Sequence, residues 1–206
     1  MSVGVNGKLL VVCAANVCRS PFAAFLLGEA LPGAEVTSVG VTARTGDPLC
    51  RFTDERISAV PDGARFAKAH VATRLDAESV ARADLILTAS EAERSAVAVL
   101  DPEARPRTFT LVEAAYSARA LAPLPVGVDL RELAERMHAQ RGTVDLPRVR
   151  RRHRLSPLRS SYGIAIPDAH IGDTRRHSEV YRTVADAVEM FAGACRGAAE
   201  TAELRS

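Results

Sequence analysis

Apolar residues fall in short blocks along the chain, and the spacing inside each block predicts its structure. Lys8-Leu-Leu-Val-Val-Cys13 is a continuous apolar run with β-branched residues, the pattern of a strand buried on both faces. Residues 35–39, 84–88 and 108–112 read as three further strands. Between them the period lengthens. Ser20-Pro21 opens a helix, because Ser is a favoured N-cap and Pro a favoured first helical residue. Phe22, Phe25, Leu26 and Leu27 supply its apolar face. Residues 40–49 read as a loop. Residues 53–60 read as helical, with Ile57 and Val60 turned inward, and residues 75–81 as a short helix with Asp76 and Glu78 at its start. Ser90 caps a helix through Leu100, with Glu93 at the reciprocal capping position.

Beyond this point the pattern changes. Pro123-Leu-Pro125 is a breaker, residues 129–141 form an amphipathic helix on Leu130, Leu133 and Met137, and an Arg-rich run follows. A final helix over 178–195 places Val180, Val184, Val188 and Phe191 on one face. Strands alternating with helices predict an α/β fold: a doubly wound, four-stranded parallel sheet with helices on both faces. The expectation is one domain over 1–206 with a partly helical, Arg-rich insertion at about 115–163. In such folds ligands sit beyond the carboxyl ends of the strands, where the loop after the first strand emerges.

Composition narrows the class. The chain has 206 residues, 47% hydrophobic and 25% charged, which suits a globular domain with a real core. Its apolar stretches are too short and interrupted for a transmembrane helix, and residues 1–8 lack the features of a signal peptide, so a cytoplasmic location is expected. Four cysteines do not make a disulfide scaffold, and Cys13 and Cys18 have no second pair at zinc-ligand spacing. Cys50 and Cys195 stand alone in the sequence. The net charge of +2 hides an asymmetry: residues 147–159 hold six Arg and no acid. That run reads as a solvated loop or as a rim that attracts an anionic substrate. Without interleaved aromatics or a recognition helix, nucleic acid is not the expected partner.

The segment from Cys13 to Pro21 carries the chemistry. A bare C-x5-R arises by chance roughly 0.5 times in a chain of this composition, but Asn16, Ser20 and Pro21 at their positions make coincidence remote. A short loop running into a helix N-terminus turns its backbone N–H groups inward as a nest for an oxyanion. Ala14, Ala15, Asn16, Val17 and Cys18 would supply that nest. Cys13 at its base is the candidate nucleophile, its thiolate stabilised by the N–H groups and the helix dipole. Arg19 offers a planar fork for two phosphate oxygens. Asn16 tolerates the left-handed backbone that a tight cradle requires. The Ser20 hydroxyl can cap the helix or hydrogen-bond the thiolate. Cys18 reads either as a packing residue or as a redox partner of Cys13.

Val12 to Pro21 resembles the V-C-x-x-N-x-C-R-S-P signature of the low-molecular-weight protein tyrosine phosphatases. The resemblance extends through about Val112 and again from Ile166 to Phe191, roughly three quarters of the chain. That family carries its general acid in an Asp-Pro loop before the last helix. Here the region reads Ile166-Pro-Asp-Ala-His-Ile-Gly172, so the resemblance puts Asp168 at the acid position. Asp173 is the competing carboxylate, placed to cap the last helix. Ala169 stands where the family has Pro, His170 where it has an aromatic wall, and residues 41–47 contain no aromatic. The residues therefore specify phosphoester chemistry more closely than tyrosine specificity.

The resemblance implies hydrolysis through a phosphocysteine, with Cys13, Arg19 and Asp168 as catalytic residues and no metal or cofactor. The substrate would be a phosphorylated protein, with phosphotyrosine first, or a small phosphomonoester. Other activities on the same fold are an arsenate reductase, which needs a relay of further cysteines, and an arginine phosphatase, whose branch has Thr at the position of Val17. Outside the enzymes, the alternative is a catalytically weak module that binds phosphorylated partners.

Overall fold

In the computed structural model, residues 4–147, 149–153, 156–168 and 175–196 are described. Strand β1, Gly7–Cys13, is followed by helix α1, Arg19–Ala30, and strand β2, Ala34–Gly40. Three short helices come next: α2, Arg51–Ser58; α3, Gly63–Ala69; and α4, Ala77–Arg82. Strand β3, Leu85–Thr88, leads to α5, Glu91–Leu100, and a 3₁₀ turn, Pro102–Arg107, leads to β4, Thr108–Thr110. Helices α6, Leu111–Leu121, and α7, Leu130–Ala139, precede a hairpin of β5, Val149–His153, and β6, Ser156–Gly163. Helix α8, Arg175–Arg196, closes the described chain.

The main sheet is parallel, in the order β2-β1-β3-β4. The apolar run of β1 is continuous because both of its faces are covered. Leu9 and Val11 face one cluster, built with Phe22 and Leu27 of α1, Leu133 and Met137 of α7 and Val184 and Phe191 of α8. Leu10 and Val12 face the other, with Val80 of α4 and Val97 of α5. Leu87 and Ile86 of β3 divide between the clusters in the same alternation. Helices on both faces make this the doubly wound arrangement.

Several expectations are corrected in detail. The fourth strand ends at Thr110, not Val112, because Thr110 and Glu113 form a capping box that starts α6 at Leu111. Helix α2 ends at Ser58, leaving Val60 42% exposed while Ile57 is fully buried. Helix α3 and the β5–β6 hairpin have no counterpart in the sequence reading. Residues 149–153 and 156–159 of the Arg-rich run fall on that hairpin, and their side chains lie outside the described residues. The helical part of the segment read as an insertion joins the main core: Leu130, Leu133 and Met137 are fully buried. Among the described residues, no helix is long and apolar enough to cross a membrane.

Candidate active site

β1 delivers Cys13 to the carboxyl edge of the sheet, and the chain turns at once through a loop into α1. The helix begins at Arg19 with Cys18 at the N-cap, so Ser20 is not the cap. The second expectation for Ser20 holds instead: its hydroxyl donates to Cys13 Sγ at 3.0 Å and approaches the Val39 carbonyl at 3.2 Å. The Asn16 N–H also donates to Cys13 Sγ, at 3.3 Å. Two donors therefore converge on one sulfur inside a buried loop.

Asn16 fixes the shape of that loop. Its φ of 55° is left-handed, the conformation that Asn tolerates better than most residues. Its side chain is fully buried, donating Nδ2 to Ser20 Oγ and Ser38 Oγ at 2.9 Å each and accepting the Thr73 N–H at Oδ1. The Asn16 carbonyl pairs with His70 Nε2 at 2.9 Å. Burial pushes the His70 pKa below its ordinary value, and the hydrogen bond to Asn16 opposes that shift only in part. Gly40, the last residue of β2, lies against the same loop. A Cβ there would stand 2.6 Å from the Ala14 carbonyl oxygen and 2.7 Å from the Asn16 nitrogen.

Arg19 is buried, with its side chain 7% exposed. Nη1 donates to the Ile166 carbonyl at 3.2 Å, and Nη2 reaches Asp168 Oδ2 at 3.3 Å and Glu93 Oε1 at 3.5 Å. The structure thus brings Arg19 and Asp168 together from 149 positions apart in number, and Cys13 opens the loop that leads into Arg19. Asp168 keeps 29% side-chain exposure, at the mouth rather than the floor. His170 and Asp173 lie outside the described residues.

Glu93 was legible only as a capping residue. Its carboxylate instead accepts the Ser90 hydroxyl and faces Arg19, while Ser90 Oγ caps α5 by accepting the Ala92 N–H. The signal was its position three residues after a strand-end Ser, which fits either role. Cys50 is also not alone. Cys18 points away from the loop toward Cys50, and both sulfurs approach the Tyr181 hydroxyl, at 3.7 and 3.9 Å. The pairing of Cys18 with Cys13 therefore has a geometric competitor.

The sequence model for low molecular weight phosphotyrosine protein phosphatase matches residues 8–122. The chain is 34% identical over 107 residues to the low molecular weight protein-tyrosine-phosphatase Ptp of Acinetobacter johnsonii, covering 50% of this chain and 71% of that protein. It is also 34% identical over 105 residues to the protein-arginine-phosphatase of Geobacillus stearothermophilus, covering 50% and 68%. Its fold is similar to that of the tyrosine phosphatase Wzb from Escherichia coli K30 in complex with sulphate, with a TM-score of 0.61, 19% identity and coverage of 92% and 98%. A parallel sheet that hands a buried cysteine to a loop opening a helix, in a chain with these relatives, defines a cysteine-based phosphatase. The chain belongs to the low molecular weight phosphotyrosine protein phosphatase family.

Proposed function

We propose that this protein hydrolyses phosphomonoesters through a phosphocysteine on Cys13, with phosphotyrosine in proteins as the preferred substrate. One observation supports the assignment above others: Arg19, at the helix start that the Cys13 loop runs into, is bonded to Asp168 from the other end of the chain. The Cys13 thiolate attacks phosphorus in line as the bond to the leaving oxygen breaks, and Asp168 gives that oxygen its proton. Arg19 and the N–H groups of residues 14–18, with the Ser20 hydroxyl at the sulfur, hold the equatorial oxygens. Asp168, now ionised, then takes a proton from water as water attacks phosphorus and the sulfur–phosphorus bond breaks. Cys13, Arg19 and Asp168 are the proposed catalytic residues, and the loop performs the charge neutralisation by itself.

Phosphotyrosine is preferred over phosphoarginine because Val17 presents an apolar side chain where a hydroxyl would mark the arginine branch. The relatives named for each activity are equally identical to this chain, so the two substrates form a direct comparison. The chain is proposed to act as one domain with 115–163 as its insertion, in the cytoplasm, where its four free cysteines stay reduced.

The test is leaving-group dependence. A nitrophenolate departs with little help, whereas a tyrosine phenolate, of pKa about 10, requires a proton. Asp168→Asn should slow phosphotyrosine cleavage about 10²–10⁴-fold and nitrophenyl phosphate cleavage far less. Cys13→Ser should abolish turnover of both while retaining phosphate affinity. Equal losses on the two substrates in Asp168→Asn would remove the acid assignment, and turnover by Cys13→Ser near the parent level would remove the nucleophile.

A further inference from the structure

Behind the phosphate loop, three helix N-terminal ends meet on a set of soft ligands. Cys18 is the N-cap of α1, Cys50 is the N-cap of α2, and His177 lies in the first turn of α8. The two sulfurs and an imidazole nitrogen all lie within 4.8 Å of one another. Cys18 and His177 are buried, and Cys50 is half-buried, which leaves a way in for a small ion. The backbone already fixes the approach: the Cys50 N–H donates to the Val17 carbonyl at 2.9 Å. The Tyr181 hydroxyl, one turn after His177, lies 3.7 Å from the Cys18 sulfur and 2.8 Å from Thr53 Oγ1.

We propose that Cys18, Cys50 and His177 form a zinc site that pins the starts of α1, α2 and α8 together behind the phosphate loop. Two thiolates and an imidazole are the donor set that zinc favours over hard cations. With metal–sulfur bonds near 2.3 Å, a tetrahedral ion places its two sulfurs about 3.8 Å apart, so the observed set needs to close by about 1 Å at most. Two thiolates balance the ion's charge, and each stands at the positive end of a helix dipole. The ligands come from positions 18, 50 and 177, so no C-x-x-C spacing announces them. The site does not depend on the catalytic roles proposed above.

The test uses the full chain as Cys13→Ser, which removes the competing loop thiolate, stripped of metal and kept reduced with a phosphine. Zinc is titrated against a chromophoric chelator, and cobalt serves as the spectroscopic probe. The expected result is one zinc per chain, and a cobalt spectrum with sulfur charge-transfer bands and tetrahedral d–d bands. Adding Cys50→Ser or His177→Gln should weaken zinc binding by more than the roughly 10–100-fold that loss of a supporting partner brings. Cys195→Ser, which alters a buried thiol elsewhere on α8, should leave binding unchanged. Zinc should raise the thermal midpoint of Cys13→Ser and not that of its Cys50→Ser derivative. Cys50 is only half-buried, so its substitution tests the site without altering a fully buried position. Absence of stoichiometric zinc uptake by reduced Cys13→Ser, or equal affinity in the Cys50→Ser and His177→Gln derivatives, overturns the site.

Discussion

Arg19 is a buried cation whose position is set by two carboxylates and a carbonyl, and each partner has a separable effect. Glu93 is as buried as Arg19, at 7% side-chain exposure, whereas Asp168 is partly exposed, at 29%. Glu93 therefore acts as a positioning residue that compensates the guanidinium where water cannot. Glu93→Gln keeps the shape but removes the charge. It should lower kcat/KM about 10–100-fold on phosphotyrosine and nitrophenyl phosphate alike, since it acts through Arg19 rather than on the leaving group. Steady-state kinetics on the two substrates distinguish this uniform loss from the selective loss in Asp168→Asn. Arg19→Lys should cost about 10²–10³-fold despite preserving charge, because a point ammonium cannot replace a fork. His70 gives a pH signature. Its folded pKa is lowered by burial, so on acidification the unfolded chain binds a proton that the native state resists. Its contribution is complete above about pH 6.5 and is lost as pH falls from there toward the lowered folded value. Thermal melts across that window should show a steeper acid decline for the parent than for His70→Gln. Equal slopes would mean that His70 takes up its proton at the same pH in the native and unfolded states.

At the scale of elements, Gly40 couples β2 to the loop. An added Cβ would sit against loop backbone, which has no rotamer by which to retreat. Gly40→Ala should therefore displace the N–H groups around Cys13 and cost roughly 10²-fold in activity, with the circular dichroism of the sheet retained. Activity near the parent level would mean that the loop tolerates the shift. The same scale shows what the sequence discloses and what it hides. The alternation of Leu9, Leu10, Val11 and Val12 between two clusters is legible because a doubly covered strand must be apolar throughout. The end of β4 was misread because Leu111 and Val112 are as apolar as a strand, while the decisive signal, Thr110 with Glu113, is a cap. Asp168 could be placed only through its resemblance to a family pattern, since nothing local marks one carboxylate among many. Glu93 facing Arg19 and Cys18 facing Cys50 are products of tertiary structure, and no spacing rule contains them.

For the whole molecule, α8 is the closing element of the larger core. Phe191 is fully buried there, in the cluster that also holds residues of α1, α6 and the sheet. Phe191→Ala should cost about 3–5 kcal/mol, read as a lowered denaturant midpoint with an unchanged slope. A loss below 1 kcal/mol would mean that α8 docks by its first turns alone.

The bond from Arg19 to the Ile166 carbonyl spans 147 residues, and it has a consequence in time. A ribosome adding about 5–20 residues per second makes the phosphate loop roughly 7–30 seconds before the carbonyl that clamps it. Throughout that interval the nascent chain carries the cysteine and the arginine but neither Asp168 nor α8. Long-range closure therefore acts as a built-in delay: the reactive loop is assembled first and its guanidinium is aimed last, when the fold is nearly complete.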